Sequence, residues 1–289
     1  MLLLAAGCGA GRAPSPEPGG AERAVLPEKL TVRLTSGVVM RMVLIPPGRF
    51  RMGTPLGQRD RDTDEGPVRL VRITRPFYLG VFEVTQDQYE AVTGAAPSRF
   101  RGPRRPVDSV WWADAAEFCR RASRLTGRRF RLPTEAEWEY ACRAGSTGPY
   151  FFGESEAELA ACANYCDRSN SLHLSWQDRR HDDGHDATAP VGSFRPNAWG
   201  LHDMSGNVFE WTADFYRDAY DPADVTDPRG PPSGPYRVLR GGSWYSPYWM
   251  CRSAYRHRFT ADGRFNHLIG FRVVMEADRT RAEPGAPCR

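Results

Sequence analysis

The chain has 289 residues, 40% of them hydrophobic and 26% charged, an ordinary balance for a soluble globular protein. Its formal net charge of +4 comes from interleaved Arg and Asp/Glu, a field too weak and scattered to argue for nucleic acid as a partner. The 28 Gly and 24 Pro, with eight Trp and eleven Tyr, describe a loop-rich fold tied by aromatic contacts.

The first residues, Met1-Leu-Leu-Leu-Ala-Ala-Gly-Cys8, read as the end of a secretory signal closing in a lipobox, small residues preceding a Cys that takes the lipid. Residues 1–8 are therefore expected to be signal and 9–29 a Gly/Ala/Pro-rich tether. A single domain is expected over 30–275, with a polar tail over 276–289. The lipobox reading puts the protein outside the cytoplasm, in the periplasm or at the outer membrane of a bacterium, and no other stretch approaches a membrane span. It would meet the membrane only through a lipid on Cys8. With Cys8 set aside, Cys119, Cys142, Cys162, Cys166, Cys251 and Cys288 suit disulfides in an oxidising compartment. Cys162-x-x-x-Cys166 is half a zinc pattern, but no second Cys/His pair follows it.

In chain order, Val38 to Ile45 reads as a strand ended by Pro46-Pro-Gly48, and Arg69 to Thr74 alternates as a second. Thr85, with Gln88 three residues on, forms a capping box for a helix stopped by Gly94. Asp108-Ser109 precede the clearest helical pattern, Val110 to Leu125, closed by Gly127. Thr134-Glu-Ala-Glu137 caps a shorter helix through Trp138, Tyr140 and Cys142, with the two aromatics as core anchors. Ala144 to Arg237 reads mostly as loop, and Tyr236–Arg240 with Gly270–Val274 as a closing β pair. Short strands, few helices and long loops make an α+β fold whose loops need extra fixing by metal or disulfide.

Six segments in order carry a resemblance. They are Met42-Val-Leu-Ile-Pro-Pro-Gly48 with Met52-Gly53, Phe77 to Thr85, Arg131-Leu-Pro-Thr-Glu-Ala-Glu-Trp-Glu-Tyr-Ala141, Asn197 to Leu201 with Gly206-Asn-Val-Phe-Glu-Trp211, Arg240-Gly-Gly-Ser-Trp244, and Ile269-Gly-Phe-Arg272. The chain resembles the sulfatase-modifying-factor, or formylglycine-generating enzyme, family from about Leu30 to Val274. The resemblance implies one mixed domain with a C-type-lectin-like core. It also implies oxidation by O₂ of a substrate cysteine in a sulfatase-like polypeptide or another exported protein, the aerobic type using Cu(I) between two cysteines.

Those cysteines would lie three and eight residues after the Ser of Gly-Gly-Ser, which here places Ser246 and Cys251. With Ser243 these are the candidate catalytic residues, and one of the two soft ligands that select Cu(I) is a hydroxyl. Aligned from the C-terminal side, Cys251 falls instead where the family has a cysteine paired with the position of Cys142. Cys251 is thus expected as a disulfide partner of Cys142, a lone catalytic or copper-binding thiol, or a buried free thiol. The family's other disulfide would join Cys119 to position 273, but Val273 stands there.

Two oxygen-rich sets fit structural Ca²⁺. Asp203-x-x-Gly206-x-Val208-x-Glu210 brackets two carbonyls with two carboxylates. The resemblance adds Asn164 and the Tyr165 carbonyl, with Asp183 and the His185 carbonyl. His181-x-x-x-His185, interrupted by two Asp and a Gly, reads as a solvated loop rather than a metal-binding helix face. Three functions follow: the family's oxidase, a periplasmic maturation or tailoring factor of the same family with another substrate, and a non-catalytic lectin-like binding lipoprotein.

Overall fold

The computed structural model describes residues 26–260 and 267–277. Within them, 27–277 form one contact unit. Cys8 and its signal, the tether up to residue 25, Cys288 and most of the polar tail lie outside the described residues.

Two sheets carry the fold. Strands β1 (Lys29–Thr35), β2 (Val38–Ile45), β5 (Phe77–Gly80), β11 (Val274–Glu276) and β6 (Phe130–Arg131) form one in that order, antiparallel throughout. Their inward residues, among them Met42, Tyr78 and Met275, are buried against the aromatic core of Phe118, Trp211 and Phe271. The second sheet is β10 (Ile269–Gly270), β7 (Phe209–Phe215), β8 (Tyr236–Arg240) and β9 (His257–Thr260), with β10 parallel to β7. A hairpin of β3 (Gly48–Met52) and β4 (Arg69–Ile73) packs beside them.

Helix α1 (Gln86–Thr93) starts and stops as its sequence predicts: the Thr85 amide donates to Gln88 at 3.1 Å, and Gly94 closes it at φ 76°. Helix α3 (Glu135–Arg143) has the full reciprocal box, Glu137 N–H to Thr134 Oγ1 at 3.1 Å and Thr134 N–H to Glu137 Oε2 at 2.8 Å. Helix α2 (Trp112–Thr126) begins two residues later than predicted. Asp108 accepts from the Arg99 amide at 2.8 Å, and the Trp111 amide is met by Asp114 at 3.0 Å instead.

The stretch 144–237 is mostly loop as expected, interrupted by the short helix α4 (Leu159–Cys162) and the central strand β7. One expectation fails: Tyr236–Arg240 and Gly270–Val274 do not pair, since β8 lies between β7 and β9, while β10 joins β7 and β11 joins β5 in the other sheet. The chain between β10 and β11 crosses from sheet to sheet and carries Arg272 inward.

Buried ion pairs lock these parts together. Arg272 holds Glu210 of β7 through two bonds of 2.6 Å, and Trp138 Nε1 adds a third at 2.7 Å. Arg240 of β8 pairs with Glu139 of α3, and Arg256 with Glu135 at 2.6 Å. All of these charges except Arg256 belong to the segments that carry the family resemblance, so much of that signature is internal framework. Buried pairs of this kind require both members, because either one alone is a stranded charge.

Candidate functional site

The turn after β8 contains all three candidate catalytic residues. Gly241 and Gly242 take φ values of +94° and +78°, which lets the strand turn sharply. Ser246 then folds back on Ser243: its Oγ accepts from the Ser243 amide at 3.0 Å and lies 3.1 Å from Ser243 Oγ. Both serines are buried. The Ser246 carbonyl accepts from the Cys166 amide at 2.9 Å, tying this turn to the 164–167 segment.

Cys251 ends a 3₁₀ turn, Tyr248–Cys251. Its thiol lies over Gly242, where a Cβ would come within 2.8 Å of the sulfur. Its apolar neighbours include Tyr150, Leu159 and Tyr165. Burial, with the charges of Asp183 and Cys166, pushes the Cys251 thiol well up, so it is held neutral. The expected pairing with Cys142 is absent: Cys142 and Cys251 are both free thiols, and Cys142 points at the Met204 carbonyl at 3.6 Å. Cys119, Cys162 and Cys166 are free and buried as well. Of the three readings of Cys251, the buried free thiol describes the geometry.

This arrangement does not fit Cu(I). A Cu(I) ligand set needs soft thiolates. Here one position is a hydroxyl committed to Ser243 and the other a protonated, apolar-packed thiol.

Beside the turn, Trp244 packs against Phe100 at 5.3 Å and His267 at 5.8 Å between ring centroids. A cavity of about 340 Å³ opens next to Phe100, bounded by Arg101, Arg105 and residues Gly184–Thr188.

The first oxygen-rich set converges on the same region. Asn164 Oδ1 is buried with no hydrogen-bond donor, while its Nδ2 reaches the Ala187 carbonyl at 2.9 Å. Asp183 accepts from the amides of Tyr165 and His185 at 2.9 and 2.8 Å. Burial, together with the charge of Asp167, moves the Asp183 carboxyl up to about 7. The Tyr165 carbonyl already accepts from Asp167 N–H at 2.8 Å, and that of His185 from Ser169 Oγ at 3.0 Å. A cation here would answer the orphaned Asn164 oxygen and the repulsion between Asp167 and Asp183. His181 lies in loop, its Nδ1 2.7 Å from Asp178 Oδ2.

The second set is threaded between Asn164 and the Gly241 turn. Gly206 could not be any other residue: a Cβ would lie 1.9 Å from the Asn164 carbonyl oxygen, and φ is +79°. Asn207 donates its amide to Asn164 O at 2.8 Å and accepts Trp244 N–H at 2.9 Å. Asp203 uses Oδ2 for the Gly192 amide at 2.7 Å and leaves Oδ1 without a donor. Glu210 is already satisfied by Arg272 and Trp138. Neither side-chain oxygen of Glu83 has a donor either, and Glu83 faces Asp203. Burial and the Asp203 charge raise Glu83 well above the carboxylate range, and burial moves Asp203 up to about 6. A shared proton or a cation satisfies this pair. The side-chain oxygens open to a cation are thus Asp203 Oδ1 and those of Glu83.

Glu83 was missed as a ligand candidate, because in sequence it sits in a β-like run ahead of a helix cap and nothing marks it as facing Asp203. Among the described residues no three His, Cys, Asp or Glu side chains are placed to hold a metal by themselves. Either oxygen-rich set would therefore have to draw on amide and carbonyl oxygens too.

A single mixed α/β domain of packed sheets, framed by buried ion pairs and with long loops gathered at one Gly-Gly-Ser turn, is the class of protein these features define. Residues 29–277 match the sulfatase-modifying factor enzyme 1-like domain, and the chain belongs to that family. It is similar to the formylglycine-generating enzyme of Streptomyces coelicolor, with 33% identity covering 93% of this chain and 97% of that one. Among solved structures it is similar to PvdO from Pseudomonas aeruginosa, with TM-score 0.76 and 33% identity over 88% of this chain and all of the other. It also resembles Treponema denticola variable protein 1, with TM-score 0.73 and 26% identity over 87% of this chain and all of the other.

Proposed function

We propose that this chain is an extracytoplasmic family member that binds its partner, a sulfatase-like or other exported polypeptide, in the cleft beside Phe100 and Trp244. On this reading it does not run copper-dependent conversion of a cysteine to formylglycine. Ser246 carries the proposal. Its hydroxyl stands where the enzymes of the family place a thiolate, and it is turned to Ser243 rather than held open. Loops supply the site and a rigid frame positions them, the usual arrangement of a binding surface.

Incubation with copper, O₂ and a Cys-x-Pro-x-Arg peptide, with aldehyde trapped by a hydrazine probe, tests this. The expected result is saturable peptide binding without aldehyde. Conversion at an enzymatic rate would establish the oxidase, the second reading, which the identity to the Streptomyces coelicolor enzyme favours. In this proposal Ca²⁺ is structural, held by Asn164 and Asp183 and by Asp203 with Glu83, and pins the loops around the cleft. Anchoring through Cys8 completes it: Cys8→Ala should release the protein from membranes, and a cytosolic product with an intact N-terminus would contradict it.

A further inference from the structure

A second cleft, of about 630 Å³, shares no residue with the turn or with either oxygen-rich set. Its floor is the start of β1 and the middle of β2, and its walls are Phe82 and the 191–202 loop. Backbone bonds knit the cleft together: β1 pairs with β2, Val81 N–H donates to Arg41 O at 3.0 Å, His202 N–H to Val81 O at 3.0 Å, and Val191 N–H to Arg104 O at 2.8 Å. The cleft is therefore a fixed feature of the fold rather than a gap between loose loops.

Its chemistry is one-sided. Lys29, Arg41 and Arg104 line it, and no Asp or Glu does. All three cations are exposed, and none makes an ion pair with any of the described residues, in a chain where most buried Arg are paired. The apolar lining is aliphatic in part, from Met42, Val81 and Pro196, and carries two half-buried rings: Phe82, which meets the Arg41 guanidinium at 4.7 Å and the His202 ring at 5.1 Å, and Trp199. Gly192 keeps the Phe82 ring in place, since a Cβ there would come within 2.7 Å of it. Unpaired guanidinium forks match carboxylate, phosphate or sulfonate groups, and ring faces match a planar apolar body. The volume is that of a small-molecule site.

We propose that this cleft binds a small planar-ring anion, the ring against Trp199 and the acidic group between Arg41 and Arg104. Naphthalene-2-carboxylate is the probe, titrated calorimetrically into the full-length protein. The expected result is one saturable site per chain. Affinity should fall at least tenfold in the Arg41→Gln/Arg104→Gln variant at unchanged melting temperature, and at least tenfold for the uncharged 2-naphthalenemethanol. Raised salt should weaken binding, as for any exposed charge pair. Inorganic phosphate, a ringless anion, should compete poorly. Absence of saturable binding, undiminished binding by the double variant, or phosphate competing as well as the ring compound would each overturn the proposal. Lys29→Gln, on an exposed strand end, gives a second variant whose folding is not at issue.

Discussion

Arg272→Met is the sharpest test of the buried frame. Arg272 has no exposed surface, and among the described residues it is the only partner that meets both oxygens of Glu210, through Nε and Nη2 at 2.6 Å each. It also donates to the carbonyls of Gly80 and His202 at 3.2 and 3.1 Å, joining the crossover to β5 and to the Asp203 loop. Methionine fills similar volume but leaves Glu210 with Trp138 Nε1 alone. Breaking one side of a buried pair costs about 3–5 kcal/mol. In a domain of this size each kcal/mol moves Tm by roughly 2–4 °C, so a fall of about 6–20 °C is expected in a thermal scan. Glu210→Gln added to Arg272→Met removes the stranded charge, and the double variant should be more stable than Arg272→Met alone. A Tm within about 3 °C of wild type, or a double variant showing simple addition of two losses, would refute the ion-pair reasoning.

Much of the fold was legible because its local signals agreed with its packing. The Thr85 and Thr134 boxes, the Pro46-Pro47 stop and the Gly94 and Gly127 ends all fall where the chain has them. Strand β7 was hidden for a physical reason. It is buried on both faces, so it does not alternate, and Glu210 and Asp214 give it a polar look that only their internal partners explain. The split of 269–276 between two sheets was hidden as well, since no local pattern says that Arg272 turns inward to a residue 62 positions away.

Sequence counting names candidate residues for the site, but not how the fold holds them. Counting from Gly-Gly-Ser found Ser246 and Cys251, yet the closure of Ser246 onto Ser243 depends on the turn that Gly241 and Gly242 make. The Cys142 pairing came from the resemblance and failed because α3 points Cys142 at Met204 while Cys251 rests on Gly242. Glu83 needed the fold to bring it to Asp203.

Gly206→Ala should prevent folding or cost more than about 3 kcal/mol, because positive φ and a clash with the Asn164 carbonyl act together; a soluble variant of normal Tm would contradict the geometry. If calcium holds the loops, EDTA should lower Tm and excess Ca²⁺ restore it, by about 2.7 kcal/mol at a hundredfold excess over Kd, and Asp183→Asn combined with Asp203→Asn should abolish the difference. Asp214 is lifted to about 8 by burial and the Glu135 charge, far above its unfolded value of 3.8. Its native form holds a proton that the unfolded chain releases, so its stabilising contribution is complete below about pH 4 and lost as pH rises towards 8. Asp214→Asn should flatten that slope in urea titrations, and an unchanged slope would exclude Asp214 as its source. The last expectation concerns Ser246→Cys, which returns the missing thiol to its sequence position. Oγ now satisfies the Ser243 amide inside a buried turn, so sulfur there loses a hydrogen bond worth about 1 kcal/mol and adds volume. Cys251 stays neutral beneath Gly242, and the new side chain faces Ser243. The variant should melt a few degrees lower and gain neither tight Cu(I) binding, read by competition with a chromophoric chelator, nor aldehyde formation. Restored turnover would mean that the turn opens and that the oxidase site is one substitution away.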